Sequence, residues 1–203
     1  MSNMKDASVD VNKRIAARVH ELRSRRRFSL DDLAERSGVS RSMISVIERG
    51  ESSPTAVLLE KLARALGVPL ASFFDAPNAR GKSISEPLIR YVDQPVWKDP
   101  ATGYIRRNVS PKDLPQRIRI VEVQFPAGGR VSFERASDER PFHQQIWLLE
   151  GVMDIHLKKT RFQLRKGDCL AVQMDELTLF HNPGGKTARY VIVTAPIRKL
   201  ARS

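Results

Sequence analysis

The chain has 203 residues, enough for one large domain or two small ones with separate cores. Its 35 Lys and Arg against 23 Asp and Glu leave a formal net charge of +12, which favours a polyanionic partner such as nucleic acid. A single cysteine, Cys169, excludes an internal disulfide, no run is apolar enough to span a bilayer, and the amino terminus lacks a signal-peptide core, so a reduced, cytoplasmic protein without membrane contact is expected.

Residues from about 12 to 74 have a helical pattern. Ile15, Val19 and Leu22 recur at helical spacing before R-S-R-R-R interrupts them. Ser29 with Asp32 predicts an N-cap and an acidic first turn for a second helix bearing Leu33 and Ala34. Gly38 suits a tight turn with positive φ, and Ser40 predicts the cap of a third helix, which runs to Arg49 and ends at Gly50. That third helix buries Ile44 and Ile47 and turns Arg41, Ser42 and Ser45 outward, a width and chemistry suited to the major groove of DNA. Thr55 predicts the cap of a fourth helix with Leu59, Leu62 and Leu66, and Leu70, Phe73 and Phe74 predict a short fifth. Lys13, Arg14, Arg18, Arg23, Arg25, Arg26 and Arg27 face only Glu21 across their span, so a phosphate-tracking role is expected beside the third helix.

Pro77 to Ser83 mix Pro, Gly and polar residues without periodicity and predict a linker over 77–85. Beyond it the alternation is that of strands: Ile118 to Phe125, Ile146 to Leu149, Met153 to Leu157, Phe162 to Leu164, Cys169 to Val172 and Tyr190 to Val193. Short strands separated by Gly-containing turns indicate an antiparallel sandwich or barrel. The excess of positive charge is larger in residues 77–203 than in residues 1–76.

Residues about 11–76 resemble the phage-repressor-like, xenobiotic-response-element family of helix-turn-helix domains. The carriers include Arg18, Leu22, Arg23, Ser29, Leu33, Ala34, Gly38, Val39, Ser40, Ile44, Ile47, Glu48, Gly50, Pro54 and the ending L-A-S-F-F. The resemblance implies a homodimer on double-stranded DNA at a near-palindromic operator. Arg41, Ser42 and Ser45 fall where members contact base edges. Ser40, Arg18, Arg23, Arg27 and Arg49 complete the candidate DNA-binding set, with Glu48 orienting Arg49 or making contacts within the domain. Leu30 stands where many members carry a Gln.

Residues 86–198 resemble a cupin through P-A-G-G at 126–129, W-L-L-E-G at 147–151, L-R-K-G-D at 164–168 and H-N-P-G at 181–184. The two resemblances together imply an all-α five-helix helix-turn-helix domain followed by an all-β cupin (double-stranded β-helix) barrel. They also imply a transcriptional regulator whose barrel dimerises and senses a small molecule.

In metal-binding cupins the ligand positions fall here on Gln144, Thr178 and the stretch Ser137 to Arg140. Neither His143 nor His181 occupies one. A polar pocket without metal or cofactor, and no enzyme activity, is therefore expected. The alternative is a divalent ion held by His143, His181 and Glu139, should a bulge turn them inward. Arg119, Arg130, Arg140, Gln144, Thr178 and Asn182 are the candidate pocket residues, with an Arg fork suited to an anionic effector. Two rival functions remain open at this point: a cupin enzyme carrying a DNA-binding domain, and an antitoxin-like protein-binding module.

Overall fold

The computed structural model describes residues 3–68, 70–74, 87–111, 118–133, 142–173 and 178–196. The expected linker at 77–85, and Glu139 and Arg140, lie outside the described residues.

Four α-helices come first: α1 (Asn3–Arg25), α2 (Leu30–Ser37), α3 (Arg41–Glu48) and α4 (Ala56–Ala65). Each local signal at the starts of α2, α3 and α4 is realised. Ser29 and Asp32 form a reciprocal capping box, and Ser40 and Thr55 accept from the backbone N–H of Met43 and Leu58. Gly38 takes φ +64°, which lets the chain turn sharply between α2 and α3. Ile15, Val19, Leu33, Ile44, Ile47, Leu59 and Leu62 meet in the core at 1% exposure or less. The first helix begins well before the residue-12 start read from the pattern.

The fifth helix is not an α-helix. Leu70–Phe74 forms a single 3₁₀ stretch, so the domain has four helices rather than five. Five residues barely complete one α-turn, whose nucleation is unfavourable, while the tighter 3₁₀ turn still buries Phe73 and Phe74 fully.

Ten strands follow: β1 (Val96–Lys98), β2 (Ile105–Asn108), β3 (Arg119–Phe125), β4 (Arg130–Phe133), β5 (Phe142–Glu150), β6 (Val152–Leu157), β7 (Thr160–Arg165), β8 (Cys169–Gln173), β9 (Thr178–His181) and β10 (Ala188–Pro196). They form a six-stranded sheet, β1-β2-β3-β10-β5-β8, and a four-stranded sheet, β4-β9-β6-β7, with antiparallel pairing throughout. The sheets are not closed on each other. The barrel expectation is thus corrected to two separate sheets packed face to face. Among the described residues no ladder joins an edge strand of one sheet to the other. Large side chains from both inner faces hold the sheets apart as layers, with Tyr190 stacked on Phe180 at 6.2 Å.

Register explains which residues reach that interior. Trp97, Arg106, Val123, Tyr190 and Leu148 lie opposite one another across the six-stranded sheet, and all are buried. Val131, Phe180 and Ile155 form the facing row.

The two domains share one hydrophobic core. A chain of aromatic contacts begins at Phe74 in the helical domain and runs through Trp97, Tyr104, Phe125, Tyr190 and Phe180 to Phe133, each step between 5.5 and 6.3 Å. The Arg106 guanidinium lies 5.7 Å from the Phe74 ring at this junction, and burial lowers its pKa. Asp99, 1% exposed, accepts from Ala56 N at 2.9 Å and so caps the start of α4 from the other domain.

Candidate nucleic-acid interface

The α3 helix is held by its neighbours so that one face stays open. Ile44 and Ile47 anchor it in the core, while Arg41, Ser42 and Met43 are exposed. Arg41, Ser42, Ser45 and Arg49 follow helical spacing along the open side. Arg41 reaches Asp31 of α2 at 3.2 Å, but both side chains are more than 60% exposed, so the pair is weak and readily exchanged for another anion. Arg49 donates to the Ser45 hydroxyl and forms a two-pronged pair with Glu51 at 2.8 Å. Ser40 caps the helix and lies 3.2 Å from the Ser42 hydroxyl. The arrangement presents one movable guanidinium and two hydroxyls at the amino-terminal half of a supported helix.

The basic run on α1 divides. Arg18 donates to the Ser72 carbonyl at 3.1 Å and pairs with Glu21 at 2.7 Å, so it ties α1 to the 3₁₀ stretch. Arg23 grips both Glu48 oxygens at 2.7 Å and donates to the Phe28 carbonyl at 2.8 Å. Both are braces within the domain, turned away from water. Arg27 is exposed, in a left-handed conformation at φ +57°.

Glu48 makes contacts within the domain and does not orient Arg49. Besides Arg23 it meets His20 Nδ1 at 2.9 Å. Burial pushes the Glu48 carboxyl upward, yet the Arg23 and His20 contacts outweigh it and hold the group below the ordinary range.

The candidate pocket residues divide: Gln144, Arg119 and Thr178 lie toward the space between the sheets, and Asn182 and Arg130 lie elsewhere. Gln144 points between the sheets, where its Nε2 lies 3.4 Å from Thr194 Oγ1 and its buried Oε1 has no hydrogen-bond partner among the described residues. Arg119 shares that inner row through Thr194, and Thr178 is buried on the facing sheet. Asn182 is fully engaged in closing a loop: it donates to the carbonyls of Phe125, Pro126 and Lys186 and accepts from Gly184 N. Arg130 is exposed at the start of edge strand β4. His143 is on the outer face of the six-stranded sheet, and His181 on the outer face of the four-stranded one, 3.6 Å from buried Asp154. Those two histidines therefore face away from each other. Among the described residues no group of three His, Cys, Asp or Glu is placed to hold a metal ion, and no helix is long and apolar enough to cross a membrane.

Two residues had no part in the sequence reading: Asp99 and Arg106, both buried at the junction. The D-P-A-T-G stretch at 99–103 is a turn signal, and Asp99 does bind the N–H of Thr102 at 3.0 Å. Its bond to Ala56 spans 43 positions and has no local signature.

Comparison with known proteins agrees with this geometry. Residues 19–73 match the Helix-turn-helix family model. Over 60 residues the chain is 35% identical to an uncharacterized HTH-type transcriptional regulator, y4dJ, of Sinorhizobium fredii (strain NBRC 101917 / NGR234), covering 30% of this chain and 78% of that protein. Over 176 residues it is 26% identical to the HTH-type transcriptional regulator SutR of Escherichia coli (strain K12), covering 87% of this chain and 91% of SutR. The fold is similar to that of an HTH_3 family transcriptional regulator from Vibrio cholerae, with a TM-score of 0.72 and 24% identity over 94% of this chain and 99% of that one.

Proposed function

We propose a function from one premise: through its amino-terminal domain, this chain belongs to the Helix-turn-helix family. It is a sequence-specific DNA-binding transcriptional regulator. The single observation that supports this most is the open face of α3, with Arg41, Ser42 and Ser45 on a helix otherwise locked into the core. In this reading those three side chains meet base edges, while Ser40, Arg27 and Arg49 meet phosphates. Arg18 and Arg23 set the angle between helices and leave the phosphates to others.

A second copy of the chain completes the reading. The outer face of the six-stranded sheet exposes Ile120 and Trp147 beside Val191 and Val193, an apolar surface suited to a symmetric pair. Such a pair would set two α3 helices roughly 34 Å apart, in successive major grooves. The space between the two sheets, where Gln144 Oε1 is unpaired, is the place for a small-molecule effector, and binding rather than catalysis is its role.

The test is selection from a genomic fragment library at physiological salt, with wild type and Arg41→Ala compared. A short inverted repeat is expected for the wild type, with affinity reduced by about 1–3 kcal/mol in the variant and thermal stability unchanged. Uniform binding that disappears with salt and is indifferent to Arg41 would sink the reading.

A further inference from the structure

A cleft of about 400 Å³ opens where the two domains meet, between α4, the turn at 99–102 and β4. Val131 and Phe133, whose neighbours face the other sheet, form its floor at the edge of β4, while Gln144 does not line it. Lys61 and Arg64, one helical turn apart, enter it from α4, and Arg130 enters from β4. Ser132 adds a hydroxyl, and Thr102, whose own hydroxyl donates to Asp99, borders the cleft. β4 is an edge of its sheet, so one row of its backbone groups has no strand partner on this side.

Two carboxylates also border the cleft, and both are occupied. Asp99 is buried and takes its hydrogens from Ala56 N, Thr102 N and the Thr102 hydroxyl. Glu60 and Arg64 both have partners of their own, and Glu60 adds its field to buried Arg106. Lys61 and Arg130, by contrast, have no carboxylate within ion-pair distance among the described residues. The positive side therefore dominates what a ligand meets. Val57 and Phe133 supply an apolar wall. A volume of this size suits a compact metabolite, and cations beside an apolar wall select a carboxylate on a nonpolar body.

We propose that this interdomain cleft binds a small organic carboxylate, gripped by Lys61 and Arg130 with its apolar body against Phe133. A bound carboxylate bridges α4 to β4 and fixes the angle between the domains. Because α4 packs on α2, the ligand and DNA then alter each other's affinity by the same factor. Only this last consequence rests on the regulator reading; the site itself does not.

The experiment is a titration of the full chain with benzoate, and separately with inorganic phosphate, read from backbone amide signals. Benzoate is expected to give saturable shifts at Thr102 and Ser132, with phosphate weaker because it lacks an apolar body. The double variant Lys61→Ala/Arg130→Ala, with melting checked to confirm folding, should bind benzoate at least tenfold more weakly. Gln144→Ala should bind it as wild type does. Shifts that fail to saturate, saturate equally in the double variant, or depend on Gln144 overturn the site. Phosphate binding as tight as benzoate overturns the ligand class. Arg41→Ala is measured on DNA alone, so loss of the regulator reading would be seen independently.

Discussion

Glu48→Ala should lower the stability of the protein by about 3 kcal/mol, the range found when one partner of a largely buried ion pair is removed. The substitution leaves the Arg23 guanidinium, 14% exposed, with no carboxylate in a space built around one. The lost bonds also join α1 to α3, so the recognition helix loses its anchor at the carboxyl-terminal end. For a chain of this size the melting temperature should fall by roughly 6–12 °C. The pair has a signature in pH as well. The folded Glu48 pKa is depressed below that of an ordinary glutamate, so its stabilisation is present above the unfolded value and is lost as pH falls through the folded one. Melting curves of wild type and Glu48→Ala should accordingly converge in acid. A variant that melts within a degree of wild type at neutral pH would show that the brace contributes nothing.

Asp99→Ala should cost a similar amount, for a different reason. The Asp99 carboxylate satisfies the buried N–H of Ala56 and the part-buried N–H of Thr102, and a buried amide left unpaired costs about 1–3 kcal/mol. Two such amides bring the loss to roughly 3 kcal/mol. Asp99→Asn keeps an acceptor but discards the charge that complements the positive end of α4, so it should recover only part of the loss. Denaturant unfolding of the three proteins orders them. Equal stability of wild type and Asp99→Ala would mean that Thr55 alone suffices to begin α4.

These two residues also mark the boundary of what the sequence disclosed. Ser29, Ser40 and Thr55 could be read as caps because a cap acts within three positions of itself, and Gly38 because its turn is local. The outward face of α3 followed from the positions of Ile44 and Ile47. Arg18 and Arg23 could not be sorted from Arg27, since their partners lie 54 and 25 positions away. A run of arginines looks alike whether it faces phosphates or a buried glutamate. Six of the ten strands follow from alternation, but β1, β2, β4 and β9 span only three or four residues each, too short to show a period, and whether the sheets close depends on edges brought together only by the whole fold. Leu70–Phe74 differs for a simpler reason: four apolar residues in five satisfy a helical pattern and a 3₁₀ turn equally.

The aromatic contacts that cross from the helical domain into the sheets carry an optical consequence. The chain has two tryptophans. Trp97 is shielded at the seam, 3% exposed with its indole N–H unpaired, and Trp147 is half in water on the outer sheet face. Their emission should differ in colour, blue for the first and red for the second. Replacing Trp147 with phenylalanine leaves a fluorescence that belongs to the seam alone, and any tilt of one domain against the other will register in it without an added dye.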